Sequence, residues 1–268
     1  MEIVGFVLAA LVGVSLGLIG GGGSILTVPI LVYLIGINPI LATSYSLFIV
    51  GTTSLIGTFI NYKKGYVDIK TAILFGLSSI TTVFITRKFL LPHIPHIIYR
   101  NDHFNITQSM ATMVLFAFLM LSASIAMIQS SKENKHQNVL KKGNNKSVVL
   151  LFYGIFIGLA TGLLGAGGGF LIIPALVFIL KMPMKEAVGT SLLIIALNSL
   201  IGFTGDLGHF TIDWKLLIFI TCIAIVGIFV GGAISKKING EKLKKIFGWF
   251  VLSMGLYIIM KEIFFAKG

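Results

Sequence analysis

Residues 17–24 read Gly-Leu-Ile-Gly-Gly-Gly-Gly-Ser, and residues 162–169 read Gly-Leu-Leu-Gly-Ala-Gly-Gly-Gly. Each run lies inside a long apolar segment and is followed by a proline, Pro29 or Pro174. Each glycine costs about 1 kcal/mol relative to alanine inside a helix, so such runs favour a break. In a bilayer, irregular backbone must be sheltered by protein or line a wet cavity, because its polar groups need partners. The two runs therefore predict paired helix breaks within a membrane protein.

The composition agrees with a membrane location. Of the 268 residues, 56% are hydrophobic and only 11% are charged, whereas soluble domains carry roughly a quarter charged residues. Apolar stretches of about 18 residues or more, the length that spans a bilayer, recur along the whole chain. We therefore predict an all-α integral membrane protein with about eight spans and no water-soluble domain.

The chain contains an internal repeat. A shift of 145 residues aligns residues 13–70 with residues 158–215 without a gap, and 20 of the 58 pairs are identical. The identities include glycines, prolines, serines and an aspartate, which apolar composition alone does not bring into one register. We predict an N-terminal transmembrane repeat over residues 1–129, a basic linker over residues 130–147, and a C-terminal transmembrane repeat over residues 148–268.

The distribution of basic residues bears on the topology. As one helix, Ile3–Gly36 would extend about 50 Å against a hydrocarbon core of about 30 Å, so it is either a broken span or a hairpin. If both glycine-rich segments are hairpins, 15 basic residues lie on one face and six on the other; single crossings give 11 and 10. Lys and Arg are enriched in cytoplasmic loops. The hairpin topology is favoured, with inverted repeats, a cytoplasmic linker and both termini outside the cytoplasm, although the sequence leaves both topologies open.

The other global features exclude some functions. A net charge of +12 is typical of lysines that set topology and meet anionic lipid, and no basic face interleaved with aromatics indicates nucleic acid. The single cysteine, Cys222, forms no intramolecular disulfide. The N-terminus lacks a basic signal-peptide region and is interpreted as a retained span. No feature of the sequence specifies an oligomeric state.

The breaks predict an anion site. Helices that restart at Ser24 and near Phe170 present positive N-terminal ends, which suit an oxyanion or carboxylate. The candidate substrate-binding residues combine both breaks with polar residues of the following spans: Gly20, Gly21, Gly22, Gly23, Ser24, Ser46, Ser54, Gly165, Gly167, Gly168, Gly169, Thr190, Ser191, Asn198 and Ser199. Two alternatives stay open: the glycines only permit close helix packing, and the hydroxyls only bond their own backbone.

Ionisable residues are scarce in the apolar segments. No acid, Arg or Lys lies near the centre of a predicted span, so we expect dipoles and hydroxyls, rather than a fixed cation, to hold the substrate. Asp206 and His209 are candidates for a proton relay; the alternative is a loop carboxylate in water. Asp68 and Asp213 are expected to cap helices. His93, His96 and His103 lie in a loop without supporting ligands, so neither a metal site nor a cofactor is predicted.

These motifs resemble those of the TauE/SafE family of sulfite and organosulfur-anion exporters. The similarity lies in the paired glycine runs with their prolines, the segments Ala42–Ser46 and Ala187–Ser191, and the Asp-x-Lys at Asp213. The resemblance implies a permease for small anions such as sulfite, sulfonates or sulfoacetate, with net export as an expectation.

We therefore expect a secondary transporter that works by alternating access, with proton coupling left open. A passive anion channel is the alternative. A membrane-embedded enzyme is disfavoured because the clustered acids or nucleophile–base pair that catalysis needs are missing from the sequence.

Overall fold

The structure, a computed structural model, describes residues 2–19, 22–95, 97–101, 104–129, 146–165, 167–209, 211–235 and 237–265. Within these ranges the regular elements are helices, apart from one antiparallel β-hairpin. Its elements are α1 Glu2–Ile19, α2 Gly22–Tyr33, α3 Pro39–Tyr62, α4 Ile69–Ile85, α5 Leu91–His93, β1 Ile97–Asn101, β2 Phe104–Thr107, α6 Gln108–Gln129, α7 Lys146–Leu164, α8 Gly169–Ile179, α9 Met184–Asp206, α10 Trp214–Ser235 and α11 Gly240–Phe265.

The described helices confirm a helical membrane protein. Five are long and apolar enough to cross a bilayer: Pro39–Tyr62, Ile69–His93, Gln108–Ile125, Met184–Asp206 and Trp214–Ser235. Large apolar side chains such as Leu77, Phe118 and Phe152 lie exposed on the outer surface, where water would penalise them and lipid does not. The α3 and α9 helices are the most buried and form the centre of the bundle.

One predicted boundary is wrong. The apolar stretch at residues 67–85 predicts a span that ends at Ile85, but the helix continues through a π-helical turn at Thr86–Leu90 into α5. Arg87, two residues beyond that stretch, therefore lies inside this helix and is buried. The π turn leaves the helix unbroken while carrying a charged side chain into the protein interior.

Aspartates cap two helices as predicted. The Asp68 carboxylate accepts hydrogen bonds from the N–H groups of Lys70 and Thr71 at the start of α4. The Asp213 carboxylate accepts one from the N–H of Leu216 at the start of α10. Both caps satisfy N–H groups that have no partner within the helix.

Close glycine contacts define the directions of the helices. Along α1 and α10, Gly13 lies against Ala224 and Gly17 lies against Gly231, so these helices run in the same direction. The same holds for α7 and α4, where Gly154 lies against Ser78 and Gly162 lies against Thr86. In each pair of helices the residue numbers of the contacting positions increase together, which is the pattern of parallel helices.

The central helices complete the topology. Gly51 of α3 lies against Leu200, whereas Gly202 of α9 lies against Leu47, so α3 and α9 are antiparallel. Gly202 and Gly205 lie against Val83 and Arg87, so α4 and α9 are parallel. Because α7 and α9 are both parallel to α4, α8 must run back between them, and α7 and α8 form a hairpin.

The first half shows the corresponding arrangement. The N–H of Asp213 donates to the Tyr45 hydroxyl, and Gly57 lies against Ile228, so α3 and α10 are parallel. Since α1 also runs parallel to α10, α2 must return between α1 and α3. We call the side at which α3 ends and α9 begins the linker face, and the side at which α9 ends and β1–β2 lies the β-hairpin face.

Candidate functional site

The second glycine run forms the predicted break between α7 and α8. Gly165, Gly167 and Gly168 have φ values of 66°, 64° and 70°, a left-handed backbone conformation that favours glycine. The Gly168 carbonyl accepts the N–H groups of Leu171 and Ile172 as α8 begins at Gly169. The break is confirmed, and it is buried inside the bundle.

The first run lies between α1, which is described to Ile19, and α2, which is described from Gly22. Gly20 and Gly21 lie outside the described residues. Gly22 and Gly23 belong to α2, and Ser24 is fully buried within it.

An ion pair lies directly beside the second break. A methyl group on Gly165 would collide with both Thr43 and the guanidinium of Arg87. Arg87 is 0% exposed, and its Nη1 donates to Asp206 Oδ2 at 3.0 Å and to Thr43 Oγ1 at 3.1 Å. The Thr43 hydroxyl in turn donates to the Ile40 carbonyl, which fixes its orientation. A buried cation therefore lies beside the break, where the sequence indicated none.

The alternative given for Asp206, a loop carboxylate in water, is wrong. Its side chain is 1% exposed and belongs to the last turn of α9, so it is not a loop carboxylate in water. Its partner is Arg87, because a buried cation requires an opposite charge. His209 lies exposed in the same cavity and donates its backbone N–H to the Asp206 carbonyl at 3.1 Å. The relay between these two side chains stays a prediction.

Part of the Arg87 guanidinium has no hydrogen-bond partner among the described residues. Arginine has five N–H donors, and Nε and Nη2 of Arg87 have no partner among the described residues. A buried donor without a partner costs desolvation free energy, and such groups are rare in proteins unless a water or ligand binds them. Three N–H groups are therefore available beside the break.

Buried hydroxyls surround the same backbone. A methyl group on Gly167 would lie 2.8 Å from the Ser199 hydroxyl, and one on Gly168 would collide with the Thr161 hydroxyl. Neither hydroxyl has a partner among the described residues. Asn198 Oδ1 accepts a hydrogen bond from Ser79, while its Nδ2 has no partner there. The second break thus combines charged and neutral donors.

The remaining candidates fall into two groups. Ser46 and Ser54 are buried with no partner among the described residues, as is their neighbour Ser44. Thr190 and Ser191 already have structural partners: the Thr190 hydroxyl accepts the N–H of Asp68, and the Ser191 hydroxyl donates to the Val188 carbonyl.

The sequence reasoning missed Arg87, Thr43 and Thr161. The available signal for Arg87 was its position five residues before Pro92, which leaves room for a helix that continues past Ile85. Arg87 also has no counterpart in the repeat, because a shift of 145 residues brings it to Gly232.

A cavity connects the ion pair with the β-hairpin face. Its volume is about 680 Å³, and its lining includes Arg87, Asp206 and His209, together with Asn38 from the start of α3 and Gln108 from the start of α6. Arg87 and Asp206, which are themselves buried, form part of its wall beside the second break. No cluster of three or more potential metal ligands occurs among the described residues; His96 and His103 lie outside them.

The described fold and site define a multi-pass helical membrane protein with a broken helix beside a buried cation. The chain belongs to the TauE/SafE sulfite exporter family, which it matches over residues 5–258. It is 30% identical to a "Probable membrane transporter protein" of Xylella fastidiosa, over 94% of this chain and 92% of that protein. It is 25% identical to the "Probable membrane transporter protein YunE" of Bacillus subtilis, over 96% and 97% respectively. No solved structure matches the chain. These relationships identify a membrane transporter.

Proposed function

We propose that this transporter is a secondary permease for a small oxyanion, namely sulfite, a sulfonate or a related organosulfur or carboxylate anion, working by alternating access. The observation that carries the proposal is the Arg87 guanidinium, whose Nε and Nη2 lack partners beside Gly165. Arginine presents these N–H groups as a planar fork that matches two oxygens of a carboxylate or a similar oxyanion.

The surroundings of Arg87 support binding that is reversible. Asp206 neutralises the guanidinium when the site is empty and competes with the substrate for it when the site is filled. The hydroxyls of Ser199 and Thr161, together with the N–H groups at the N-terminal end of α8, add neutral donors beside the break. A substrate held by one shared cation and several dipoles can both enter and leave.

Inverted repeats support alternating access. The contact between Gly162 and Thr86 has a counterpart 145 residues away between Gly17 and Gly231. The hydrogen bond from Asp213 N–H to Tyr45 likewise has a counterpart from Asp68 N–H to Thr190. In our proposal the two halves have opposite orientations, and rocking of one half against the other opens the site to each side in turn.

The proposed orientation places the linker face in the cytoplasm. The ends of α6 and α7 that border residues 130–145 lie at this face, together with most lysines of the part of the chain that the structure describes. Positive residues in short loops remain on the cytoplasmic side. Both termini are then outside the cytoplasm.

The test is transport by the purified protein in liposomes. We expect saturable sulfite or sulfonate flux, competition by related anions and trans-stimulation; flux that does not saturate, with single-molecule conductance, would indicate a channel instead. Replacing Gly22 and Gly167 with valine should abolish flux without preventing membrane insertion. Ser199→Ala, which leaves the backbone intact, should weaken substrate binding, and normal flux and affinity in both variants would refute the site.

A further inference from the structure

A second cavity opens at the linker face. Its volume is about 290 Å³, close to the lower size of known small-molecule sites. It lies between the end of α3, the start of α9 and the last turns of α1 and α10. Its lining consists of Gly17, Asn61, Lys64, Tyr66, Lys185, Val188, Gly232 and Ser235.

This cavity is the repeat counterpart of the cavity at the β-hairpin face. A shift of 145 residues relates Asn61 to Asp206, Lys64 to His209, Lys185 to Ile40, and Gly232 to Arg87. All eight of these residues line one or the other cavity. The same register relates the contacts of α1 with α10 to those of α7 with α4. The two cavities are therefore equivalent places in the two halves.

Their charges differ in a way that matters for an anion. At the β-hairpin face, the cation is buried and paired with Asp206. At the linker face, Gly232 and Asn61 occupy the positions of that pair, so no carboxylate lines the cavity among the described residues. The two cations there are Lys64 and Lys185, both partly buried in the lining.

Two lysines near the cavity, but outside its lining, allow a comparison with Lys64 and Lys185. Lys63 and Lys181 are exposed and do not line the cavity, and Lys63 lies over the ring of Phe59 at 4.4 Å. A cleft lined by charge of one sign concentrates counter-ions and raises their association rates by 10- to 1,000-fold. The contrast between the two pairs of lysines therefore separates a local effect of the cavity from the general charge of the face.

We propose that the linker-face cavity is a docking site for the transported small oxyanion, with Lys64 and Lys185 supplying the positive charge and Asn61 a polar contact. The proposal rests on the proposed anion transport and adds a site on the route to the first break, since Gly17 in the lining lies one helical turn before that break. The described lining of this cavity contains no carboxylate that corresponds to Asp206. The β-hairpin face carries the competing Asp206 and favours release.

The test compares Lys64→Gln, Lys185→Gln and the double variant with the control variants Lys63→Gln and Lys181→Gln. Sulfite flux is measured in proteoliposomes of one orientation, with substrate added at either face. For the double variant we expect the half-saturating concentration at the linker face to rise about tenfold, with reduced salt dependence, and that at the β-hairpin face to stay unchanged.

The controls, including the combined variant Lys63→Gln/Lys181→Gln that removes two charges as the double variant does, should leave the half-saturating concentration at both faces within about twofold, since exposed charges are screened by salt. Equal effects in the controls, or no effect in the double variant, would overturn the docking site while leaving anion transport intact. Wild-type protein without saturable anion flux would instead refute the proposed function. Thermal melting of each detergent-solubilised variant separates lost docking from lost folding.

Discussion

Arg87 shows how one side chain can be both a structural cost and a binding group. Removing one member of a buried ion pair costs about 3–5 kcal/mol, because the other charge is left without compensation. We therefore expect Asp206→Asn and Arg87→Gln each to lower the melting temperature strongly. The double variant Arg87→Gln/Asp206→Asn contains no buried charge at this place and should recover much of the stability.

Transport should not recover with stability. The double variant lacks the guanidinium that we propose binds the anion, so its flux in liposomes should stay at background. A double variant that melts like wild type and transports sulfite at the wild-type rate would show that the pair is purely structural.

The backbone conformation of the second break can be tested at Gly165. A side chain there would have an unfavourable φ and would collide with Thr43 and Arg87. Gly165→Ala should cost about 1–3 kcal/mol by strain and overpacking and should abolish flux. The control is Gly76→Ala in α4, where a methyl group would meet only Ile80 at 3.7 Å. Equal melting temperatures and equal fluxes in the two variants would contradict this assignment.

At this scale the sequence predicted the residues that occur in matched pairs. Gly167 and Ser199, which lie next to each other in the structure, were singled out because Gly22 and Ser54 repeat them. Arg87 was missed because its counterpart is a glycine, and the pairing with Asp206 joins residues 119 positions apart. A contact across such a distance depends on how α4 and α9 pack, which one sequence does not reveal.

Among the elements, the pairs α1–α10 and α4–α7 pack through glycines, as membrane helices do where backbones approach closely. A Cβ on Gly227 would lie 2.5 Å from the Ala10 carbonyl oxygen, whereas one on Gly232 would meet nothing within 4 Å. Gly227→Ala should therefore destabilise the protein by about 1–3 kcal/mol. Gly232→Ala should leave the melting temperature unchanged. The prediction fails if the two variants melt alike.

The cap of α4 adds a pH dependence outside the membrane spans. The Thr71 hydroxyl, which donates to the Asp68 carboxylate at 2.6 Å, lowers the pKa of Asp68 below its ordinary value of 3.8. Because the folded pKa is lowered, the cap stabilises the protein above the ordinary pKa and is lost as pH falls through the folded value. Asp68→Asn should lower the free energy of unfolding at pH 7 by up to about 1 kcal/mol, which is measured as a lower melting temperature. The difference from wild type should shrink below about pH 4.

Helix ends and breaks were predictable because local chemistry decides them: glycines interrupt helices and aspartates cap them. The π turn at Thr86–Leu90 and the β-hairpin were not predicted. The charged residues Arg87 and Lys88 resemble the end of a span when only hydropathy is considered. Their helix continues because Asp206 and Thr43 provide partners within the fold.

For the whole molecule, the sequence left open whether each glycine-rich segment is a hairpin or a single crossing. The shared direction of α7 and α9, and of α1 and α3, requires that α8 and α2 return toward the side from which α7 and α1 came. Charge counting favoured the same topology through an independent physical effect, the retention of Lys and Arg in the cytoplasm. Packing and charge thus both support the proposed arrangement, in which the two halves have opposite orientations.

This topology predicts which surfaces an impermeant thiol reagent reaches. In a Cys222→Ser background, which removes the single native cysteine, we would place one cysteine at exposed Lys63 or at exposed Thr211. Thr211 connects α9 with α10 at the β-hairpin face and should react in intact cells. Lys63 follows α3 at the linker face and should react only after permeabilisation. Tags on both termini should be accessible together with Thr211, because six single crossings and two hairpins, α1–α2 and α7–α8, bring the chain back to its starting side. Termini on opposite sides of the membrane would mean that one glycine-rich segment crosses once, and the opposed cavities would then lose their common origin in inverted repeats.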